Sequence, residues 1–279
     1  MSVLGGCNKN VMVYMTMIQR FLIATSIVLL GCVSYAHAQM SIQGISVPQN
    51  TIVDSGTSIH VSAWVPYWRK EGGTQEAQEA MLYIDTFSPF MYEVAKDGTI
   101  SPKADLKEGN WASLLYTARL SNKKITPTII WLKGDEIHAV LSDSKKRKKH
   151  IEQLVSIVRT GTKYSDGGFD GIDIDYEGKK WETRASYSAF IRELKTELRK
   201  YNKLLVCTIE TRNANTTYET QVAKEKAGDY VNEYAVLGKE CDIVRVMSYD
   251  QRNADVVLNK QNEKEMYMPV SDIAWVKKI

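Results

Sequence analysis

The chain has 279 residues, 44% of them hydrophobic and 25% charged, with a formal net charge of +3. That length holds one large domain or two small ones, and the composition is that of an ordinary globular protein with material for a sizeable core. The charge is too mild to point to nucleic acid, and much of the excess lies in one run, Lys145-Lys146-Arg147-Lys148-Lys149. We read that run as the solvated start of a helix, with contact to an anionic cell-wall polymer as the alternative.

In chain order, residues 1–38 read as a secretory leader. Lys9 and Arg20 form a basic region, Phe21 to Leu30 is apolar, and Ala36-His37-Ala38 places small residues for cleavage before Gln39. The apolar run is shorter than the ~20 residues of a membrane span, so no span is expected. The residues before Met15 look like an extended start. Leu29-Leu30-Gly31-Cys32 also resembles a lipobox, which would place a lipid anchor on Cys32; simple cleavage is the reading taken. The leader holds Cys7 and Cys32, so the mature chain keeps Cys207 and Cys241, both in apolar runs. Two cysteines make no disulfide framework, and buried free thiols are expected.

Residues 39–57 read as a linker, and strands and helices alternate over 58–279. Strands are expected at 59–68, 84–94, 124–132, 169–177, 204–209 and 243–249. Between them, Trp111, Leu114, Leu115 and Ala118 recur at helical spacing, as do Ile151, Leu154, Val155 and Val158, and then Tyr187, Phe190, Ile191, Leu194 and Leu198. A short helix at 229–237 has Gly238 as its stop, and a last helix begins over 270–279 near Ser271. Six strand–helix units predict a parallel sheet with right-handed crossovers, either doubly wound or a (β/α)8 barrel. No glycine-rich phosphate loop follows the first strand. Unusual residues gather instead at strand C-terminal ends: Tyr67, Trp68, Phe90, Tyr92, Trp131, Glu177, Glu210, Tyr249 and Asp250. Barrel enzymes build their sites at that face.

The fourth strand, Phe169-Asp170-Gly171-Ile172-Asp173-Ile174-Asp175-Tyr176-Glu177, carries the chemistry. Alternation puts Asp173, Asp175 and Glu177 on one face and Ile172, Ile174 and Tyr176 on the other. Successive acids stand roughly 7 Å apart on such a face, so they repel and one keeps its proton near neutrality. A divalent-metal site is a rival reading, opposed by the apolar spacers and the absence of nearby histidines. An acid-rich, partly exposed edge strand is another.

Asp170-Gly171-Ile172-Asp173-Ile174-Asp175-Tyr176-Glu177 resembles the D-G-x-D-x-D-x-E signature of family 18 glycoside hydrolases, the chitinases and related N-acetylglucosaminidases. Met247-Ser248-Tyr249-Asp250 resembles the M-x-Y-D that ends the sixth strand of that family. The resemblance covers roughly 58–279 and implies a (β/α)8 barrel. Trp64-Val65-Pro66-Tyr67-Trp68 and the Arg184…Tyr187…Phe190 helix are closer to bacterial cell-wall and spore-associated members. It further implies a secreted or cell-envelope, monomeric, retaining enzyme that cleaves β-1,4-linked N-acetylglucosamine polymers without metal or cofactor. In that scheme Glu177 is the general acid, kept protonated by a charged Asp175. The substrate's acetamido oxygen is the nucleophile, a recognised exception to the two-carboxylate mechanism. Asp175 stabilises the oxazolinium ion and shares a proton with Asp173, Tyr249 orients the acetamido group, Asp250 contacts sugar hydroxyls beside it, and Met247 is assigned to substrate binding as well. Trp64, Tyr67, Trp68, Tyr92 and Trp131 are candidates to stack on sugar rings, with core packing as the alternative. Asp170 and Gly171 are assigned to structure.

Three departures stand out. Gly178-Lys179 follows Glu177 where many chitinases have an aromatic residue and proline. The third strand lacks S-x-G-G. Ile279 falls just inside the sixth helix, so a partial barrel lacking its last two strands and the family's late tryptophan is expected, unstable and weakly active by itself. The alternative function is a non-catalytic chitin- or peptidoglycan-binding, lectin-like protein.

Overall fold

The computed structural model describes residues 59–106, 108–161, 168–211, 228–249, 271 and 273–277. The leader with Cys32, the linker and Asp250 lie outside them. The described strands are β1 (Ser62–Pro66), β2 (Thr86–Val94), β3 (Ile100–Pro102), β4 (Lys124–Ile125), β5 (Thr128–Trp131), β6 (Gly171–Tyr176), β7 (Leu204–Glu210) and β8 (Ile243–Met247). The helices are α1 (Lys70–Glu79), α2 (Gly109–Leu120), α3 (Gly134–Leu141), α4 (Ser144–Thr160), α5 (Arg184–Arg199), α6 (Tyr234–Glu240) and α7 (Ile273–Val276).

Six strands lie side by side in the order β1-β2-β5-β6-β7-β8, all paired in parallel. Five strand spacings would put β1 and β8 roughly 24 Å apart in a flat sheet. The Arg245 guanidinium of β8 instead lies 5.6 Å from the Trp64 ring centroid of β1. The sheet is therefore curled into the arc of a partial (β/α)8 barrel.

The two faces of the arc differ as the alternation of β6 requires. Ile172, Ile174 and Tyr176 are buried outward, in one core with Leu205, Cys207 and Ile209 of β7 and the apolar stripes of α2, α4 and α5. The stripes are those expected from spacing: Trp111, Leu114, Leu115 and Ala118; Ile151, Leu154, Val155 and Val158; Tyr187, Phe190, Ile191, Leu194 and Leu198. Asp173, Asp175, Thr128 and Thr208 are also buried. They occupy the alternate, inward positions, so the interior of the arc is polar.

Several boundaries differ from expectation. The first strand stops at Pro66, and Tyr67–Arg69 form a 3-10 turn. The third splits at Thr126-Pro127, where proline supplies no N–H to a ladder. Gly238 is inside α6 rather than its stop, and its φ stays out of the left-handed region. The basic run does open a helix: Asp143 caps α4 by accepting from Lys145 N at 2.8 Å and Lys146 N at 3.1 Å.

The expectation of free thiols is corrected. Cys207 and Cys241 form a disulfide across a sequence separation of 34. Cys207 points outward from β7, and Cys241 is the residue that ends α6 just before β8, so the crossover delivers one sulfur to the other. No helix among the described residues is long and apolar enough to cross a membrane.

Candidate active site

The acidic strand begins with a structural carboxylate. Asp170 accepts from Ile125 N at 2.9 Å and from Arg119 Nη1 at 3.3 and 3.1 Å, with Lys124 Nζ at 3.6 Å. It ties β4 and α2 to the N-terminal end of β6, opposite the end that carries Glu177. Gly171 follows because a Cβ there would lie 2.4 Å from Leu204 O; any side chain would push β7 away.

Asp173 is the hub of the interior. Its Oδ1 accepts from Thr208 Oγ1 at 2.7 Å, and its Oδ2 from Thr128 Oγ1 at 2.8 Å, Trp64 Nε1 at 3.0 Å and Arg245 Nη1 at 2.8 Å. Donors from β1, β5, β7 and β8 thus converge on one buried carboxylate. Such a group is held only by paired charge and a full set of hydrogen bonds. Trp64 was expected to stack on sugar; here its ring N–H is committed to Asp173.

Asp175, two residues on, is only 2% exposed, and its Oδ1 has no hydrogen-bond partner among the described residues. Burial, with Glu177 and Asp173 close by, pushes it up to about 8, against the pull of the Lys179 charge. Asp175 therefore leans toward its protonated form. The expectation was a charged Asp175 that keeps Glu177 protonated; the anion that raises Glu177 here is Glu210. Glu177 follows the last residue of β6, with its N–H bonded to Trp131 O at 2.9 Å. It is half-buried, and its carboxyl is raised by burial first and by the Glu210 charge second, with Lys179 opposing. Glu210, at the end of β7, accepts from Gly178 N, Lys179 Nζ and Asn232 Nδ2.

The remaining candidates separate. Met247 ends β8 level with Glu210. Tyr249 lies two residues beyond, 41% exposed, at the same end of the arc as Glu177. Trp68 is 56% exposed and packs edge-on to Tyr67 and Phe90, with ring centroids 5.1 and 5.2 Å away. It stands open at the mouth. Trp131 does not: it is 1% exposed, meets Tyr176 edge-on at 5.5 Å, and bonds Glu136 through Nε1 at 3.2 Å. Its position in β5 turns it outward into the helix layer, so its assignment to sugar stacking is corrected to core packing. Tyr92 is likewise corrected. The β2 register shifts between Phe90 and Tyr92, bringing Tyr92 level with Ile129 of the core, against which it packs.

Arg245 was missed in the sequence, although it left a signal. In Ile243-Val244-Arg245-Val246-Met247 a lone cation interrupts an apolar strand, and a half-buried arginine in a strand needs an acid opposite. Thr128 and Thr208 left none, because threonine is ordinary in strands.

Residues 63–271 match the family described as glycosyl hydrolases family 18. An uncharacterized glycosylase of Bacillus subtilis (strain 168) is 26% identical over 172 residues, 61% of this chain and 46% of the relative. A cortical fragment-lytic enzyme of Bacillus anthracis is 24% identical over 177 residues, 60% of this chain and 36% of the relative. This chain thus spans less than half the length of either. Among solved structures, the fold resembles a class V chitinase from Pseudomonas fluorescens Pf-5, with 22% identity and a TM-score of 0.57 over 70% of this chain and 55% of that one. It also resembles the spore cortex-lytic enzyme SleL of Bacillus cereus, with 19% identity and a TM-score of 0.61 over 79% of this chain and 46% of that one.

Proposed function

The chain belongs to glycosyl hydrolase family 18, and from that premise we propose that it is a retaining glycosidase acting on β-1,4-linked N-acetylglucosamine polymers. Glu177 gives its proton to the glycosidic oxygen as the bond from that oxygen to the anomeric carbon breaks. The substrate's acetamido oxygen bonds to the same carbon and forms an oxazolinium ion. Glu177, now a carboxylate, takes a proton from water, which opens the ring from the face the leaving group vacated. Two inversions give net retention. Asp175 faces the acetamido group, Asp173 with its four donors fixes the strand beneath, and Tyr249 closes on the sugar just beyond the sixth strand of the arc.

The observation that carries this reading is the pair Asp175–Glu177. Asp175 Oδ1 is buried without a partner among the described residues and is the acceptor available to an acetamido N–H. Glu177, beside it at the strand end, is raised toward the proton-holding state a general acid needs.

Chitin and the glycan of peptidoglycan both present the required linkage. We place the enzyme outside the cytoplasm, where either polymer lies, as the leader suggests. The Cys207–Cys241 disulfide supports that placement, since such bonds persist in oxidising compartments.

The test is Glu177→Gln assayed on both polymers. Turnover should fall about 10²- to 10⁴-fold, the usual contribution of general acid–base catalysis, with oligosaccharide affinity held within a few-fold. Unchanged hydrolysis in the variant would remove Glu177 from the reaction. A wild-type protein that binds but never cleaves would make the chain a lectin.

A further inference from the structure

The turn after Glu177 is built from residues that make a poor support for a catalytic acid. Gly178 has φ +64°, a conformation glycine adopts freely, and glycine leaves the chain on either side of it least restrained. Yet both peptide units flanking Glu177 are held. On one side, Lys179 Nζ donates to Tyr176 O. On the other, Gly178 N donates to Glu210 Oε1 at 2.7 Å. Lys179 and Glu210 then join each other, Nζ to Oε2 at 3.0 Å, and Asn232 Nδ2 donates to the same oxygen at 3.0 Å. The lysine side chain is wholly buried, and its ammonium lies 4.9 Å from the Tyr187 ring centroid.

An ion pair with one partner buried is a costly way to hold a loop. The wholly buried lysine charge must be taken out of water, while the Glu210 side chain is 28% exposed, and an apolar pair of similar volume can stabilise a loop as well. A chain that keeps such a pair against its catalytic acid uses the charges themselves.

We propose that Glu210 and Lys179 are positioning residues that clamp the backbone on both sides of Glu177 and set how readily it gives up its proton. The proposal rests on the assignment of Glu177 as general acid. The ionisable groups around Glu177 are Asp175 and Asp173 on β6, Lys179 in its own turn, Glu210 on β7 and Tyr187 on α5, with Arg245 of β8 bound to Asp173. Of these, Glu210 raises the Glu177 carboxyl and Lys179 lowers it; the two act with the same signs on Asp175. Burial alone would raise Glu210, but the Lys179 charge and the Asn232 donor hold it low, so it remains an anion beside the acid.

The two charges therefore predict opposite effects. In Glu210→Gln the anion is gone and Lys179 is unopposed, so the basic limb of the kcat/KM–pH profile moves to lower pH. In Lys179→Met the anion is unopposed and the same limb moves to higher pH. Both variants lose an anchor of the turn, so kcat falls about tenfold or more while KM stays within about twofold. The assay uses N-acetylglucosamine oligomers with products resolved by chromatography, because a natural leaving group needs the proton. A residue that merely stabilised the fold would lower the amount of active protein and leave the profile where it was. Either variant alone decides the matter if only one folds. Unmoved profiles, shifts of the same sign, or failure of both variants to fold overturn the proposal. Glu177→Gln separates this from the parent reading: if it retains turnover, the assignment of Glu177 falls; if it is inactive while the other two profiles stay put, only the clamp falls.

Discussion

Replacing Asp175 with asparagine should make the protein more stable at neutral pH while removing its activity. The carboxyl is pushed up to about 8 in the fold and titrates at about 3.9 in an unfolded chain. Between those values the folded state holds a proton that the unfolded state has lost. Each pH unit in that window therefore costs about 1.4 kcal/mol of stability. The stability is fully present below pH ~4 and is lost progressively as pH rises toward 8, on the order of 5 kcal/mol in all. The side chain is buried, so solvent screens little of this. Asparagine has nearly the same shape and does not titrate. Urea unfolding followed by tryptophan fluorescence at pH 5, 6, 7 and 8 should show wild-type stability falling with pH and the variant's falling much less. The gap should widen by about 1.4 kcal/mol per unit. Turnover should be lost because the acetamido N–H then faces an amide that cannot become the anion opposing an oxazolinium charge. Parallel pH profiles for the two proteins, or a variant less stable than wild type at pH 8, would refute the reasoning.

Three further outcomes follow from the fold. The Cys207–Cys241 bond closes a segment with a sequence separation of 34, for which loop-closure entropy gives about 4 kcal/mol. Unfolding midpoints with and without reductant should differ accordingly, and two titratable thiols in the native protein would restore the free-cysteine reading. Trp68→Ala should raise KM several-fold with the melting temperature unchanged, because the ring is open at the mouth. Trp131→Ala should cost about 3–5 kcal/mol from the core; a stable W131A protein with an altered KM would put that ring back in the sugar site.

The parallel arc and the facing of β6 were legible because period-2 and helical apolar patterns are long and clean there. Helices α1 and α3 were not. Lys70–Glu79 contains two glycines and scarcely any apolar residues, and its buried contacts come from Thr74 and Ala77. Lys-Glu-Gly-Gly-Thr carries no stripe that a periodicity reading can detect. Gly134–Leu141 is two turns long, too short for a period to establish itself. Trp131 shows a different limit. Its place at a strand C-terminus suggested the mouth, but a strand end has two faces, and the parity of β5 against Asp173 puts Thr128 inward and Trp131 outward. That parity is readable only once the register between strands is known.

The acidic strand shows most clearly what the fold adds. On the sequence its carboxylates look alike, spaced two apart on one face. Two of them then meet cations brought from elsewhere in the chain. Asp170 receives Arg119 and Lys124, Asp173 receives Arg245, and the turn after Glu177 holds Lys179, itself bound to Glu210. Asp175 and Glu177 have no ion pair among the described residues, and burial raises both, Asp175 to about 8. The carboxyls that lean toward holding a proton are the two to which no cation is paired. Arg119 and Arg245 lie 51 and 72 residues from the acids they meet. No local pattern encodes that inequality; it arises because the curled sheet brings β1, β7 and β8 to one strand. The chemistry assigned to the row depends on that burial, since a general acid must hold its proton at rest and Glu177 is raised by burial and by the Glu210 charge.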